Sequence, residues 1–326
     1  HLRVNLRRAD GVLTLDGRVD GMRGTADVYG VAMALKSSAL TFNERSVFLA
    51  ATAEAAGQTA RIDGTIRLDA DAPYLDLMVR VQDFVVDQIR ADSPYTGAVT
   101  ADVHVTGTLA APMAEGKLSA ADGAVGGVSF HTAAADVSYA DGLVSFQNLT
   151  AELFGGRVSG TGVFDTTHRS YTAHLAVDGI SLAALCAAEM SLPEGLDGTL
   201  HADFGVDGQS GGELTLYGSA ELSDGVYRNI PVERANASFI LRGNDLSIDF
   251  LSAKLPNDTE LGVEGHIAGG SRLDLRFYGA HADLSLLNGL DERLSFSGLA
   301  DFSGEVHGDM ADPYVDLRVS ATNGDL

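Results

Sequence analysis

One strand-length stretch occurs three times in this chain: Gly97-Ala-Val-Thr-Ala-Asp-Val-His-Val-Thr-Gly107, Gly198-Thr-Leu-His-Ala-Asp-Phe-Gly-Val-Asp-Gly208 and Gly298-Leu-Ala-Asp-Phe-Ser-Gly-Glu-Val-His-Gly308. The bracketing glycines stand ten apart in each copy, and successive copies begin 101 and then 100 residues on. A fixed period of this kind means that one supersecondary unit is stacked on copies of itself and that neighbours supply each other's core. The repeat extends backwards as well: Arg61-Ile-Asp-Gly-Thr-Ile aligns with Arg157-Val-Ser-Gly-Thr-Gly, and Leu261-Gly-Val-Glu-Gly-His-Ile is a third version. The modules are read as 1–96 (partial), 97–197, 198–297 and the start of another at 298–326, with no Pro- or Ser-rich linker to separate them into independent domains.

Within a module the dominant signal is alternation with period two. Leu75, Leu77, Val79 and Val81 oppose Asp76, Met78, Arg80 and Gln82; Val99, Ala101, Val103 and Val105 oppose Thr100, Asp102, His104 and Thr106. Leu246, Ile248 and Phe250 oppose Ser247 and Asp249, Leu273, Leu275 and Phe277 oppose Asp274 and Arg276, and Val315, Leu317 and Val319 oppose Asp316 and Arg318. Strands with one apolar and one polar face belong to antiparallel sheets, since parallel strands are buried on both faces. Asp122-Gly123, Asp224-Gly225, Asp141-Gly142 and Gly243-Asn244 supply positive φ and are expected at hairpin turns. Roughly twenty-five to thirty strands of about six residues result. Each module closes on a short helical piece: Ser181-Leu-Ala-Ala-Leu-Cys-Ala-Ala-Glu-Met, with Ser181 as N-cap, Phe84-Val-Val-Asp-Gln-Ile, and Leu284-Ser-Leu-Leu-Asn-Gly.

Three architectures use this many strands. A row of immunoglobulin-like sandwiches fits the period but not the missing Trp, the single Cys186 or the closing helical turns. A transmembrane barrel needs aromatic girdles, and the aromatic residues, 7% of the chain, are scattered. The third is an all-β fold: one long antiparallel repeat sheet curled into a hydrophobic groove, with short helical turns between modules of about 100 residues. Its inner face would be a continuous apolar surface, which marks an interaction site. The inward candidates are Val79, Val103, Val105, Phe146, Phe204, Val206, Phe250, Leu275, Phe277 and Leu317.

The formal net charge of −23 excludes nucleic acid as a partner and disfavours an anionic lipid surface. Nine histidines are present, yet no His-x-x-x-His, Cys-x-x-Cys or calcium-loop spacing occurs, so neither metal nor cofactor is expected. His104, His201 and His307 stand at different positions in their repeats and read as solvent-face residues. Gly-x-Ser-x-Gly is absent and Gly155-Gly156-Arg-Val-Ser-Gly160 lacks the Lys-Ser/Thr ending of a phosphate loop, so no enzyme active site is expected. Cys186, on the stripe with Leu182 and Leu185, reads as a small core residue. No apolar run is long enough to span a bilayer, and targeting information is expected outside these residues.

The glycine-bracketed strands, the Gly-x4-Pro step at Gly107/Pro112 and Gly308/Pro313, the Asp-Gly pairs and the Leu-rich turn before each bracket together resemble the TamB family, in the AsmA-like group of bacterial envelope proteins. Glu213 replaces the proline in the second copy. The resemblance implies a β-taco groove, an inner-membrane anchor in the full-length protein, a periplasmic location, and an outer-membrane barrel partner of the Omp85 type such as TamA. It further implies a non-enzymatic role in carrying phospholipid, by its acyl chains, between the two membranes. The alternative is a chaperone-like scaffold for outer-membrane protein and autotransporter assembly. A plain spacer array of closed β-domains remains the third reading.

Overall fold

The computed structural model describes residues 1–9, 12–28, 31–68, 72–89, 93, 95–188, 195–289 and 295–325. They form twenty-one strands: β1 (Leu2–Ala9), β2 (Val12–Asp20), β3 (Gly24–Val28), β4 (Val31–Asn43), β5 (Ser46–Ala55), β6 (Gln58–Arg67), β7 (Tyr74–Val85), β8 (Tyr95–Thr108), β9 (Pro112–Val125), β10 (Val128–Ala140), β11 (Leu143–Leu153), β12 (Gly156–Asp165), β13 (Ser170–Ser181), β14 (Leu196–Gln209), β15 (Leu214–Tyr227), β16 (Ile230–Arg242), β17 (Asp245–Lys254), β18 (Glu260–Ala268), β19 (Arg272–Asp283), β20 (Ser297–Asp309) and β21 (Asp312–Asp325). One short helix, α1 (Leu182–Ala187), and the 3-10 turns Val86–Gln88 and Leu284–Gly289 follow β13, β7 and β19. Six strands, β8–β13 and then β14–β19, fill each full period.

The chain divides into two compact units, His1–Ala151 with Val163–Thr167, and Glu152–Gly162 with His168–Leu326. In the first, β1 pairs with β2, β2 with the second half of β4, and β3 with its first half. From β4 to β10 each strand pairs antiparallel with the next. In the second unit the same meander runs without exception from β13 to β21. In neither unit do the strands close into a barrel: among the described residues β21 pairs with β20 alone. The fold is thus all-β and antiparallel, and open.

Strands are fewer and longer than alternation suggested, most of them ten residues or more. The reason is visible at Asp122 and Asp224. Both take positive φ (49°), but inside β9 and β15 and not at turns. A β-bulge needs the same left-handed residue as a hairpin, so the Asp-Gly pair marks the backbone conformation without saying which feature uses it. Asp141-Gly142 and Gly243-Asn244 do lie at turns, between β10 and β11 and between β16 and β17.

The bulges fall in line. In the first unit the register shifts at Val81/Phe84 and Thr96/Ala98 set Asp83 (φ 49°), Gly97 (φ 119°) and Asp122 on three adjacent strands. In the second, Gly179 (φ 71°), Gly198 (φ 134°) and Asp224 repeat the arrangement, and His281 (φ 50°) and Gly298 (φ 97°) begin it again. Bulges bend strands, so each repeat carries a crease. The first bracketing glycine is therefore a bulge residue, and the strand runs past it.

Beyond each crease lies a helical closer, tied to the preceding hairpin. Gln58 Nε2 donates to the Val85 carbonyl at 2.9 Å and its Oε1 accepts from Val85 N–H. In the third repeat Thr259, 1% exposed, does this work: its Oγ1 accepts from Asp283 N–H at 2.9 Å and donates to the His281 carbonyl at 3.3 Å. In the second repeat the backbone suffices, Ser181 N–H donating to the Phe154 carbonyl at 3.0 Å. Ser181 caps α1 by accepting from Ala184 N–H at 3.3 Å, and Leu182 is buried. Most of the buried apolar side chains gather at these strand ends: Ala55, Ala60 and Phe130 in one unit, Ile180, Leu182, Val232, Leu255, Ala282 and Ala300 in the other.

Candidate functional site

Antiparallel register carries each apolar face across many strands. In the first unit Leu49, Gly64, Leu77, Val105, Ala114 and Tyr139 lie side by side from β5 to β10, and Ala51, Ile62, Val79, Val103, Gly116 and Val137 form the next row. In the second, one row runs Leu175, Phe204, Gly218, Phe239, Ile248, Gly265, Leu275, Val306 and Val315 across nine strands. Among the described residues, contacts within each unit join neighbouring strands and strands to closers. The larger side chains of the nine-strand row are half-buried and Val315 is exposed, so they do not form the dry core of a sandwich. The turn Leu284–Gly289 touches β20 and also reaches back to β16.

Glycines keep this face low. The Phe277 ring lies over Gly304, where an added Cβ would come within 2.6 Å of Cζ, and the Phe302 ring covers Gly279. The two rings pack against each other, centroids 6.2 Å apart. Phe130 covers Gly123 in the first unit in the same way. A ring laid across a glycine of the next strand buries its face without rising from the sheet. A second set, Gly64, Gly116, Gly160, Gly218 and Gly265, takes every third strand from β6 to β18. An L side chain at any of them would run into a carbonyl of the neighbouring strand (Asp76, Asp102, His174, Asp203 and Asp274 respectively).

The opposite face is a solvated charge ladder. Arg80 spans Asp63 (3.0 Å) and Asp102 (3.1 Å) in the first unit, and Arg276 stands between Glu264 (3.7 Å) and Glu305 (3.4 Å) in the second. A shallow hollow of about 840 Å³ on this face is lined by Arg80, Asp102, His104, Glu115, Lys117 and Asp136 among others. The histidines that differ in sequence position share one kind of partner. His104 meets Asp76 at 2.8 Å, His201 meets Asp178 at 2.8 Å and His307 meets Asp274 at 3.1 Å, each on the first strand of a module and paired with a carboxylate of the strand before it. Exposed pairs of this kind contribute little apiece. Among the described residues no group of three His, Cys, Asp or Glu side chains is placed to hold a metal ion. Cys186 is half-buried on α1, its Sγ 3.7 Å from the Leu196 carbonyl.

Hydrogen bonds from Arg61 and then Arg80 hold the Asp63 carboxyl below its ordinary range, and a bond from His307, then the Arg276 charge, does the same to Glu305. A depressed folded-state pKa stabilises the fold above the unfolded value and loses that contribution as pH falls through the folded one. Urea midpoints are therefore expected to hold steady down to about pH 5 and to fall below about pH 4. Asp63→Asn should flatten that acid-side fall; an unchanged acid slope in the variant would show that the pair adds nothing.

Register places the candidate residues as follows. Val79 faces Val103, and Val105 faces Leu77, on the first apolar face. Phe146 is half-buried on β11. Phe204 and Val206 lie between Leu175 and Gly218 and between Ala173 and Leu216. Leu275 and Phe277 lie between Gly265 and Val306 and between Val263 and Gly304, and Leu317 faces Gly304. Phe250 differs. A bulge at Asp249 shifts the register between Ser238 and Phe239, so Phe250 faces Ser238 among the polar side chains and is 48% exposed. Leu251 takes its place opposite Ala237.

The family model of the TamB C-terminal domain matches residues 46–253, more than half of the 326. The chain belongs to the TamB family. No curated protein and no solved structure matches it. The TamB match spans β5 to β17 and so takes in most of the creases, closers and apolar rows described above. TamB-type proteins belong to the cell envelope and are tied there to translocation and assembly, to lipid transport, and to outer-membrane partners in general terms. They are a scaffold-type family and not one of enzymes. Among the described residues no helix is long and apolar enough to cross a membrane.

Proposed function

We propose that the apolar faces of this TamB chain carry phospholipid between the inner and outer membranes, acyl chains on the sheet and head groups in water, with no bond made or broken. The observation that supports this reading is the apolar row that runs across nine strands with its side chains only half-buried, and Val315 at its end exposed. A ligand of ordinary size needs one site; a face rebuilt every six strands suits many acyl chains. Each methylene laid on such a surface regains about 0.8 kcal/mol of what it loses on leaving a bilayer. Val79, Val103, Val105, Phe146, Phe204, Val206, Leu275, Phe277 and Leu317 are the proposed lining. The full-length protein is proposed to be periplasmic, anchored in the inner membrane and joined to an Omp85-type barrel through residues other than these 326.

A second reading is a chaperone-like scaffold, in which the same apolar faces and an edge strand of the sheet cradle an unfolded outer-membrane protein. Such an edge can add a strand of an unfolded outer-membrane protein by β-augmentation. Mass spectrometry of organic and aqueous extracts of the purified chain separates the two. Co-purifying phospholipid supports transport, co-purifying peptide supports the scaffold, and an extract with neither overturns both.

A further inference from the structure

We propose that in each unit lipid phosphate is held at the strand ends opposite the closers, by arginines that have no carboxylate partner among the described residues. The inference rests on the phospholipid reading and adds the side on which head groups ride. In the first unit Arg45 lies in the turn between β4 and β5 and Arg67 at the end of β6; the two turns are hydrogen-bonded, Leu68 N–H to the Arg45 carbonyl at 2.6 Å. In the second, Arg169 precedes β13, Arg242 ends β16 and Arg272 opens β19. Antiparallel connectivity sets all of these away from Gln58, α1 and Leu284–Gly289, at the other ends of the same strands.

Their electrostatic situation differs from that of the arginines farther along the strands. Arg61, Arg80, Arg234 and Arg276 each have a carboxylate within 4 Å. Among the described residues none of the five turn arginines has one. Arg67 instead stacks on the Tyr74 ring at 4.4 Å, and Arg169 Nη2 reaches only Ser210 Oγ at 3.4 Å. Asp245 and Asp309 stand opposite Arg242 and Arg272 in the register, but their carboxylates accept from backbone, Asp245 from Gly269 N–H at 2.7 Å and Asp309 from Ala311 N–H at 2.9 Å. In a chain of net charge −23, with fields screened over about 8 Å, these five exposed guanidinium groups, without an ion-pair partner among the described residues, are local anion sites. Guanidinium matches a phosphodiester with two parallel hydrogen bonds. Exposed apolar side chains stand beside them: Leu68 follows Arg67, Leu214 is hydrogen-bonded to the turn after Arg242, and Met310 to the turn before Arg272. Apolar tips beside these cations match the glycerol and phosphate of a lipid whose tails already lie on the sheet, and they do not match a free inorganic ion.

The test uses the 326-residue chain and its Arg67→Gln/Arg242→Gln/Arg272→Gln variant, incubated with dioleoylphosphatidylglycerol vesicles or with dispersed dioleoylglycerol, which has the same tails and no phosphate. Bound lipid is counted after gel filtration. The variant should lose about tenfold in phosphatidylglycerol binding, keep dioleoylglycerol within about twofold, and recover only part of the loss with lysine at the three positions, which returns the charge without the two-pronged donor. Unchanged phosphatidylglycerol binding overturns the arginine sites and leaves the apolar face standing, as does equal loss of both lipids. Displacement of phosphatidylglycerol by inorganic phosphate at equal concentration marks a free-anion site and overturns the lipid assignment. A parent chain that takes up neither lipid sinks this inference together with the transport reading.

Discussion

Aspartate at both Val79 and Val103 is expected to strip the chain of co-purifying phospholipid, by about tenfold or more, while its far-UV spectrum stays that of an antiparallel sheet. The two valines face each other across β7 and β8, half-buried on the apolar face. Opposed side chains stand about 5 Å apart, so two carboxylates put charge across the path of any acyl chain. Each charge can reach water while the face is empty and loses that water when a tail lies over it; the penalty falls on binding more than on folding. Gln82→Asp, on the other face of β7, is the control and should bind as the parent does. Equal lipid content in parent and double variant, both folded, would remove the apolar face from the mechanism.

Gly64→Ala should destabilise the first unit by about 3 kcal/mol or more, against about 1 kcal/mol for Gly57→Ala. Both glycines have positive φ, 152° at Gly64 and 80° at Gly57. At Gly57, in the turn between β5 and β6, an added Cβ meets nothing within 4 Å. At Gly64 it collides with the Asp76 carbonyl and lies 2.8 Å from Leu77 Cα, both backbone and neither able to rotate away. For a unit of this size the larger loss corresponds to a fall in Tm of about 6–12 °C. Similar melting curves for the two variants would mean that the strand can shift to admit a methyl group, and that the every-third-strand glycines are not positions of forced close approach.

Much of the sheet is legible in the letters. Leu75, Leu77, Val79 and Val81 alternate because one face meets water and the other does not, and their cross-strand partners in β8 alternate in step. Ser181 announces α1 because an N-cap hydroxyl is a local interaction. The features that escaped depend on the neighbour strand. Asp122 and Asp224 required positive φ, and only the partner's length of pairing decides between turn and bulge. Phe250 is turned over by a bulge at Asp249, and nothing in Leu-Ser-Ile-Asp-Phe departs from clean alternation. Gln58 and Thr259 tie down the closers with different side chains and Ser181 with backbone alone, so no repeated letter marks a function that every repeat performs. The three histidines share a type of partner without sharing a position. The turn arginines are legible as residues, but that no carboxylate meets them among the described residues is a fact of space.

The nearest-neighbour pairing within each unit also governs how such a chain reaches its native state. From β4 to β10 and from β13 to β21 no strand waits for a partner made much later, so the entropy of closing long loops is largely avoided. Growth can proceed by accretion, one strand at a time in the order of synthesis, with β3 and its local hairpin the one detour. The liability is that every stage of accretion ends in a fresh, unpaired, half-apolar edge. A chain built this way never has a stage at which all its edges are satisfied from within, and it depends at each step on the next strand arriving before a stranger does.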